Sequence, residues 1–157
     1  MHDYSAAPAL QMQTRIGFRV HENLPWLVLP TGMPAQQALD PVLAPVPNVE
    51  PWLRGVLNLR GNLVPVFDLG LWLGLEAQLS SAQILVLAPG LEAVAVTCCT
   101  SPSLLAVEAV AAVADRDPMA TLSEIQFASA HGPVYEFDPH AWLRRVGRHV
   151  PRRASSA

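Results

Sequence analysis

Six side chains in this sequence are of the types that catalysis or metal binding draws on: Cys98, Cys99, Ser101, His131, Asp138 and His140. A cysteine beside a histidine makes a nucleophile for hydrolysis, and paired histidines hold metals. Their spacing supports neither. None of the six falls in a GxSxG elbow, a Walker loop, an HExxH helix or a dinucleotide fingerprint. Cys98 and Cys99 are adjacent in AVAVTCC, which alternates like a strand. Neighbours on a strand point to opposite faces, so a bridge between them would distort the backbone, and CxxC spacing is absent. They read as reduced packing residues. His131 and His140 lack enough nearby cysteine or acidic ligands to close a metal site. Asp138 stands where a helix cap belongs, with Pro139 as first helical residue and His140 in the wet first turn. No catalytic residue, cofactor or metal is expected. A Cys-His hydrolase is the alternative from the enzyme class, and loss of a rate on Cys99→Ala would reveal it.

The other chemistry is that of contact, and it is concentrated between Asn48 and Leu75, NVEPWLRGVLNLRGNLVPVFDLGLWLGL. Gly61-Asn62 between two apolar runs signals a two-residue hairpin loop. That loop pairs Leu59 with Val64, Asn58 with Pro65, Leu57 with Val66 and Val56 with Phe67. One face then carries Leu57, Leu59, Val64 and Val66 and reads as core, with Trp52 beside it. The other carries Val56, Asn58, Arg60, Leu63, Pro65 and Phe67, large apolar groups mixed with an arginine and an asparagine. Two readings of this mixed face stand: other strands cover it, or part of it is offered to a partner. Arg60 divides them. It either pairs inside the fold with Asp68 or Glu50, or projects freely from the hairpin.

The same segment carries a family resemblance. The run P-x-x-x-x-W-L-R-G-V-L-N-L-R-G-N-L-V-P-V-F-D-L, from Pro45 to Leu69, resembles the hallmark segment of CheW-like coupling domains. These occur in chemosensory adaptors and in the regulatory domains of their histidine kinases. The likeness is dense over about Arg15 to Leu75 and faint beyond. It implies a mainly β, CheW-like fold of two small five-stranded, barrel-like (SH3-like) subdomains with short helices. It also implies a non-catalytic adaptor that couples methyl-accepting chemoreceptor signalling domains to the regulatory domain of a CheA-type histidine kinase, for chemotaxis or for type IV pilus (twitching) motility. The partner-binding residues expected are Arg60, Asn58, Gly61, Asn62, Val56, Leu63, Pro65 and Phe67. A glutamate that the family often uses toward the receptor falls near Gln36 or Gln37, which keeps the hydrogen bonding and loses the charge. A decoy that binds one partner only is therefore a second reading within the binding class.

The elements that must position these residues follow from composition and pattern. With 157 residues, 51% hydrophobic and 15% charged, the chain suits one domain with a real core, needing no disulfide or metal. No apolar run is long enough to span a bilayer, and the polar, proline-interrupted Met1 to Gln13 lacks the pattern of a secretory signal. A cytoplasmic setting is expected, with no direct membrane insertion. The ten basic residues are all arginine and the net charge is −3, which gives no general attraction to nucleic acid. Arg144, Arg145, Arg148, Arg152 and Arg153 read as a solvated end. The domain divides into an arm over 1–13, the CheW-like domain over 14–147 and an arginine-rich tail over 148–157.

Fifteen prolines favour short strands over long helices. Arg15 to Val20 and Trp26 to Leu29 form a first hairpin around His21-Glu22-Asn23, with Ile16, Phe18 and Val20 on one face. Met33 to Leu39 is expected as a helical turn, and Pro41, Pro45 and Pro47 as an extended approach. Asp68 caps a short helix ending at Gly74 that lids one barrel. Gln83 to Ala88 and Ala93 to Thr97 pair around Pro89-Gly90. Leu104 to Ala114 fits helix by its alanines and strand by its valines, and the family resemblance favours strand. VYEFDPHAWL repeats VPVFDLGLWL at an offset of 70, matching Val134 to Val64, Phe137 to Phe67, Asp138 to Asp68 and Trp142 to Trp72, as an internal duplication would. In the second copy, His131-Gly132 is expected to stand in for Arg60 and its glycine. Because the arm before Gln13 and the tail after Val150 have little to bury, deleting both should leave the melting temperature and kinase binding unchanged; calorimetry and a binding assay on the truncated chain check this.

Overall fold

Short apolar strands separated by proline and glycine can bury both of their faces only by stacking into more than one layer, and this chain stacks two. A computed structural model describes residues 12–39, 41–76, 83–90 and 92–149. The arm expected over 1–13 and the tail expected over 148–157 fall mostly outside the described residues. In chain order the elements are β1 (Gln13–Phe18), β2 (Leu27–Val28), β3 (Ala35–Gln37), β4 (Leu43–Ala44), β5 (Leu53–Leu59), β6 (Asn62–Phe67) and α1 (Leu69–Trp72). They continue with β7 (Gln83–Leu87), β8 (Val94–Cys98), β9 (Ser103–Ala112), a 3₁₀ turn (Pro118–Thr121), β10 (Ile125–Ser129), β11 (Gly132–Glu136) and α2 (Pro139–His149).

The fold is mainly β, as the sequence implies. One half is a closed five-stranded barrel, β1-β2-β11-β10-β9. The other is a six-stranded sheet, β3-β7-β8-β6-β5-β4, where a second five-stranded barrel is expected. The additional strand comes from Met33 to Leu39: Ala35–Gln37 lies along β7 as β3 instead of turning helically. The six residues between Pro34 and Pro41 are too few for a stable helix, whereas pairing of Ala35–Gln37 with β7 satisfies their backbone at once. The sheet's two edges, β3 and β4, are consecutive in the chain, so the sheet must curl to let the short link between them reach. The region Ser103–Ala112 is strand, as the resemblance favours.

The central hairpin forms with its loop one residue earlier than expected. Leu59 pairs with Asn62, Asn58 with Leu63, Leu57 with Val64 and Val56 with Pro65. The loop is Arg60-Gly61, both with positive φ (53° and 87°), as a type I′ turn requires. Asn58 Oδ1 accepts a hydrogen bond from Gly61 N at 2.9 Å and holds the turn closed. Moving the loop by one residue slides the pairing by two, and period-two alternation then keeps every side chain on its expected face. Leu57, Val64 and Val66 are buried accordingly, while Leu59 and Trp52 are half-buried. At the base a bulge at Arg54-Gly55 re-aims the strand, so that Leu53 faces Phe67. Gly55 has φ 146°, and a Cβ there would lie 2.6 Å from Ala44 O, so only glycine lets β4 approach.

Three apolar clusters are present among the described residues. Leu57, Val64, Val66, Ile84, Val86, Ala93 and Ala95 fill the curled sheet, and Val28, Leu105, Val107, Phe127 and Val134 fill the barrel. Between them lies the largest cluster, joining Phe18, Leu27, Leu29, Phe137 and Trp142 of the barrel half to Phe67, Leu69, Leu85, Leu87, Val94 and Val96 of the sheet half. The capped helix α1 packs into this junction and does not lid a barrel end. Asp68 Oδ1 accepts from Leu71 N, and Asp138 Oδ1 accepts from His140 N and Ala141 N, so both copies of the repeat carry the expected cap. The second hairpin pairs Ser129 with Gly132, which makes its loop Ala130-His131, one residue earlier than expected.

Burial orders the cost of truncation along β5. Leu57→Ala should lose about 2–5 kcal/mol of unfolding free energy, and Leu59→Ala clearly less, because Leu59 already meets water. Denaturant titration of the two variants checks the order, and an equal loss would contradict the register.

Candidate partner-binding surfaces

The hairpin of β5 and β6 has one face in the sheet interior and another that changes character along its length. At the base that second face enters the junction: Phe67 is only 6% exposed, packed against Trp52 and Trp142 at centroid distances of 6.0 and 5.0 Å. Phe67 is therefore a core residue, and its expected place on the contact surface is corrected. Toward the tip the face opens. Val56 and Pro65 are half-buried, Asn58 is exposed, and Leu63 is 70% exposed. Arg60, Gly61 and Asn62 at the loop are exposed.

The neighbouring strand extends this surface in a way the sequence did not disclose. β4 sets Leu43 against Leu57 and Ala44 against Val56. Val42, the residue before β4, continues this register toward Asn58 and is 82% exposed. The outer face thus has two rows, Val42–Asn58–Leu63 and Ala44–Val56–Pro65, an apolar patch around one amide with a guanidinium at its tip. Exposed Arg54 lies on the bulge below. Val42 lies in a proline-rich stretch whose strand pairing has no sequence signal, because two residues are too few to show alternation.

Arg60 is held by its backbone and not by its charge. Among the described residues the ion pairs are Arg15–Glu136 and Arg145–Glu124. Neither involves Arg60. Asp68, considered as its partner, spends its carboxylate on the α1 cap, and Glu50 is exposed. Arg145, counted in sequence with the solvated end, instead bonds Glu124 and Ala120 O.

A second surface lies at the other edge of the same sheet. Gln36 and Gln37 on β3 point to opposite faces, and only Gln37 reaches the groove between sheet and barrel. With Ile16, Ala35, Leu85, Pro102, Ser103 and Leu104 it lines a cavity of about 240 Å³. Gln37 Nε2 donates to Gln83 Oε1, which also accepts from Ser101 Oγ at 3.1 Å. Leu104 is 72% exposed at the rim. The groove residues Ile16 and Leu104 were not foreseen, since nothing in sequence brings β1, β9 and β3 together.

The residues weighed for catalysis are scattered over different tasks. His131 lies against Trp26 at 5.6 Å, while His140 Nε2 lies 3.1 Å from Glu92 O. Ser101 serves the Gln83 amide. Cys98 and Cys99 are unpaired thiols, Cys98 buried and Cys99 hydrogen-bonded through Sγ to Arg19 O. Burial pushes the Cys98 thiol up to about 12, with the neighbouring Cys99 adding to the shift. Cys99 is also raised, chiefly by burial. No group of three or more His, Cys, Asp or Glu able to hold a metal occurs among the described residues. No helix among them is long and apolar enough to cross a membrane.

Comparison with known proteins gives this geometry a context. Residues 16–121 match the CheW-like domain family. The chain is 37% identical over 68 residues to Protein PilI of Pseudomonas aeruginosa, a match that covers 43% of this chain and 37% of that protein's length. In fold it is similar to the crystal structure of the scaffolding protein TtCheW from Thermoanaerobacter tengcongensis, with a TM-score of 0.65 and 16% identity over 82% of this chain and 90% of that one.

Thiol reactivity separates packing cysteines from a nucleophile. A thiol raised to about 12 is ionised to about one part in ten thousand at pH 8. Iodoacetamide at pH 8 should therefore leave Cys98 unmodified in the native chain and modify both cysteines after unfolding, as intact mass will show; rapid native labelling of either would revive the hydrolase reading.

Proposed function

We propose that this chain, which belongs to the CheW-like domain family, is a non-catalytic adaptor of a bacterial chemosensory pathway, working in the cytoplasm. The outer face of the β5–β6 hairpin, with Arg60, Asn58, Gly61, Asn62, Val56, Leu63 and Pro65, docks on the CheW-like regulatory domain of a CheA-type histidine kinase. The β3 groove, with Gln37 and its neighbour Gln36, meets the signalling domain of a methyl-accepting chemoreceptor. The likeness to PilI supports the pilus-motility branch over the flagellar one.

The observation that carries this reading is the placing of two unlike surfaces on one sheet. β7 and β8, which lie between them in the strand order, are buried on both faces. A displacement imposed on one edge is carried through close-packed strands, and such strands repack between discrete states and do not yield like a liquid. An adaptor needs no more chemistry than that. A neutral glutamine where the family often has glutamate suits a receptor recognised by hydrogen bonds and apolar contact.

Arg60 supplies the test, because its backbone role and its charge can be separated. A non-glycine residue at φ 53° is strained, so Arg60→Gly should leave stability unchanged or raise it by up to about 1 kcal/mol while removing the guanidinium. Arg60→Glu should also fold, yet places a like charge at the contact and should weaken kinase assembly by about a hundredfold or more. Thermal unfolding and assembly with kinase and receptor fragments are read side by side. Unchanged unfolding with unchanged assembly would remove Arg60 from the working surface.

A further inference from the structure

Asn58 sits in the middle of the hairpin's outer face, exposed, yet one end of its amide is already committed to the fold: Gly61 N donates to Asn58 Oδ1 at 2.9 Å. A backbone N–H can be met only by the oxygen of an amide, so Oδ1 is turned to the loop and Nδ2 away from it. No other hydrogen bond engages this side chain among the described residues. We propose that Asn58 serves the kinase contact with both ends of its amide. Oδ1 aims Arg60 by closing the Arg60-Gly61 turn, and Nδ2 donates to an oxygen on the partner. The closed turn holds Arg60 at φ 53°, in the left-handed region, and that backbone setting decides where the guanidinium leaves the hairpin. Asn58 is thus a positioning residue for Arg60 as well as a contact of its own.

The surroundings of Asn58 say what the partner presents. The two rows of this face are otherwise apolar, and its charged groups are Arg60 at the tip and Arg54 at the bulge. Both arginines are exposed, and neither joins an ion pair among the described residues. A guanidinium carries five N–H donors and no acceptor, and the one acceptor of the Asn58 amide is occupied by the turn. Every polar group that the side chains of this face turn outward is therefore a donor, and the face carries two positive charges. Covered by a purely apolar surface, these donors would lose water and gain no partner, and a cationic surface would repel them. The surface that fits is aliphatic with oxygens set into it: a carboxylate for Arg60, which such a group can meet through two parallel hydrogen bonds, and a carbonyl or carboxylate oxygen over Asn58 Nδ2.

This role rests on the docking of the hairpin face on the kinase's regulatory domain, and adds what that domain must present. Two substitutions in the full chain separate the ends of the amide. Asn58→Asp keeps an oxygen for Gly61 N and puts a carboxylate oxygen where the outward NH₂ was, while Asn58→Ala removes both ends. Amide exchange at Gly61, followed by NMR, reads the turn, and titration with the kinase regulatory domain reads the contact. Gly61 in Asn58→Asp is expected to exchange as in the wild type, and in Asn58→Ala about threefold faster or more. Both variants should bind the kinase domain at least about tenfold more weakly, the aspartate no better than the alanine, because it faces oxygens. A role in the turn alone would weaken binding in Asn58→Ala and spare it in Asn58→Asp. Wild-type or tighter binding by Asn58→Asp therefore overturns the outward donor and the acceptor surface. Unchanged Gly61 exchange in Asn58→Ala, or exchange in Asn58→Asp as fast as in the alanine variant, overturns the closing of the turn by Oδ1. These outcomes, with a wild-type chain that binds the kinase domain, leave the adaptor reading standing; a wild-type chain that fails to bind it overturns both.

Discussion

The two layers of this fold are held together by rings meeting edge to face around Trp142. Trp72 stands at 89° to it with centroids 5.5 Å apart, Phe67 at 79° and 5.0 Å, and Trp52 at 74° and 6.1 Å. Phe137 completes the set at 5.9 Å. Trp142 comes from α2 of the barrel half, whereas Trp52, Phe67 and Trp72 come from the sheet half. Each such pair contributes about 0.5–1.5 kcal/mol beyond the area it buries, and the geometry is directional in a way that aliphatic packing is not. The contact therefore fixes an angle between the layers as well as a distance. Everything offered to a partner inherits its orientation from it: Phe67 is the last residue of β6, so the ring that locks the layers is the root of the hairpin whose tip carries Arg60.

This arrangement explains why the mixed face of the hairpin is mixed. A strand that passes from a junction into solvent must be apolar at one end of a face and tolerant of water at the other. Phe67 and Leu53 satisfy the first condition, and Asn58 and Arg60 the second. Leu63 and Val42 do not follow from folding alone, because both are aliphatic and mostly in water. Scattered exposed aliphatic residues are ordinary, but two along one row of a sheet face, beside Val56 and Pro65 in the next row, form a patch.

Much of the fold was legible because its signals are local. The apolar runs on either side of Pro89-Gly90, the Asp68 and Asp138 caps and the first hairpin need only neighbours in sequence. The failures also have physical causes. Arg60-Gly61 displaced Gly61-Asn62 as the loop because a type I′ turn accepts an arginine at positive φ when the Asn58 side chain closes it onto Gly61 N, whereas Gly61-Asn62 is the stronger dipeptide signal in sequence. β3 was read as a helical turn because AQQ has helix propensity, and pairing with β7 overrode it. Phe67 was placed on the surface because the bulge at Gly55 and the tryptophans above it lie in other segments. Of the candidate site, the hairpin tip was readable. The contributions of β4, β9 and the groove were not, since they arise where distant strands meet.

The internal repeat shows which of these features the architecture demands and which it merely permits. Phe67 and Phe137, Asp68 and Asp138, Trp72 and Trp142, and Val64 and Val134 occupy matching positions 70 residues apart, and all serve the junction, the caps or the barrel and sheet interiors. A close-packed junction built from two copies of one motif tolerates little change at these positions. The outer hairpin faces are under no such constraint, and they differ row by row. Where the first copy has Asn58 opposite Leu63, the second has Ala128 opposite Pro133. Where the first has Val42 alongside, the second has Glu108. Its loop is Ala130-His131, with no guanidinium at the tip, and His131 rests on Trp26. The second hairpin therefore sets Ala128 and Pro133 beside a carboxylate, while the first projects an aliphatic pair and a cation. Folding requires two such hairpins, but it does not require that they differ in this way, so the asymmetry is left for the proposed contact of the first one to explain.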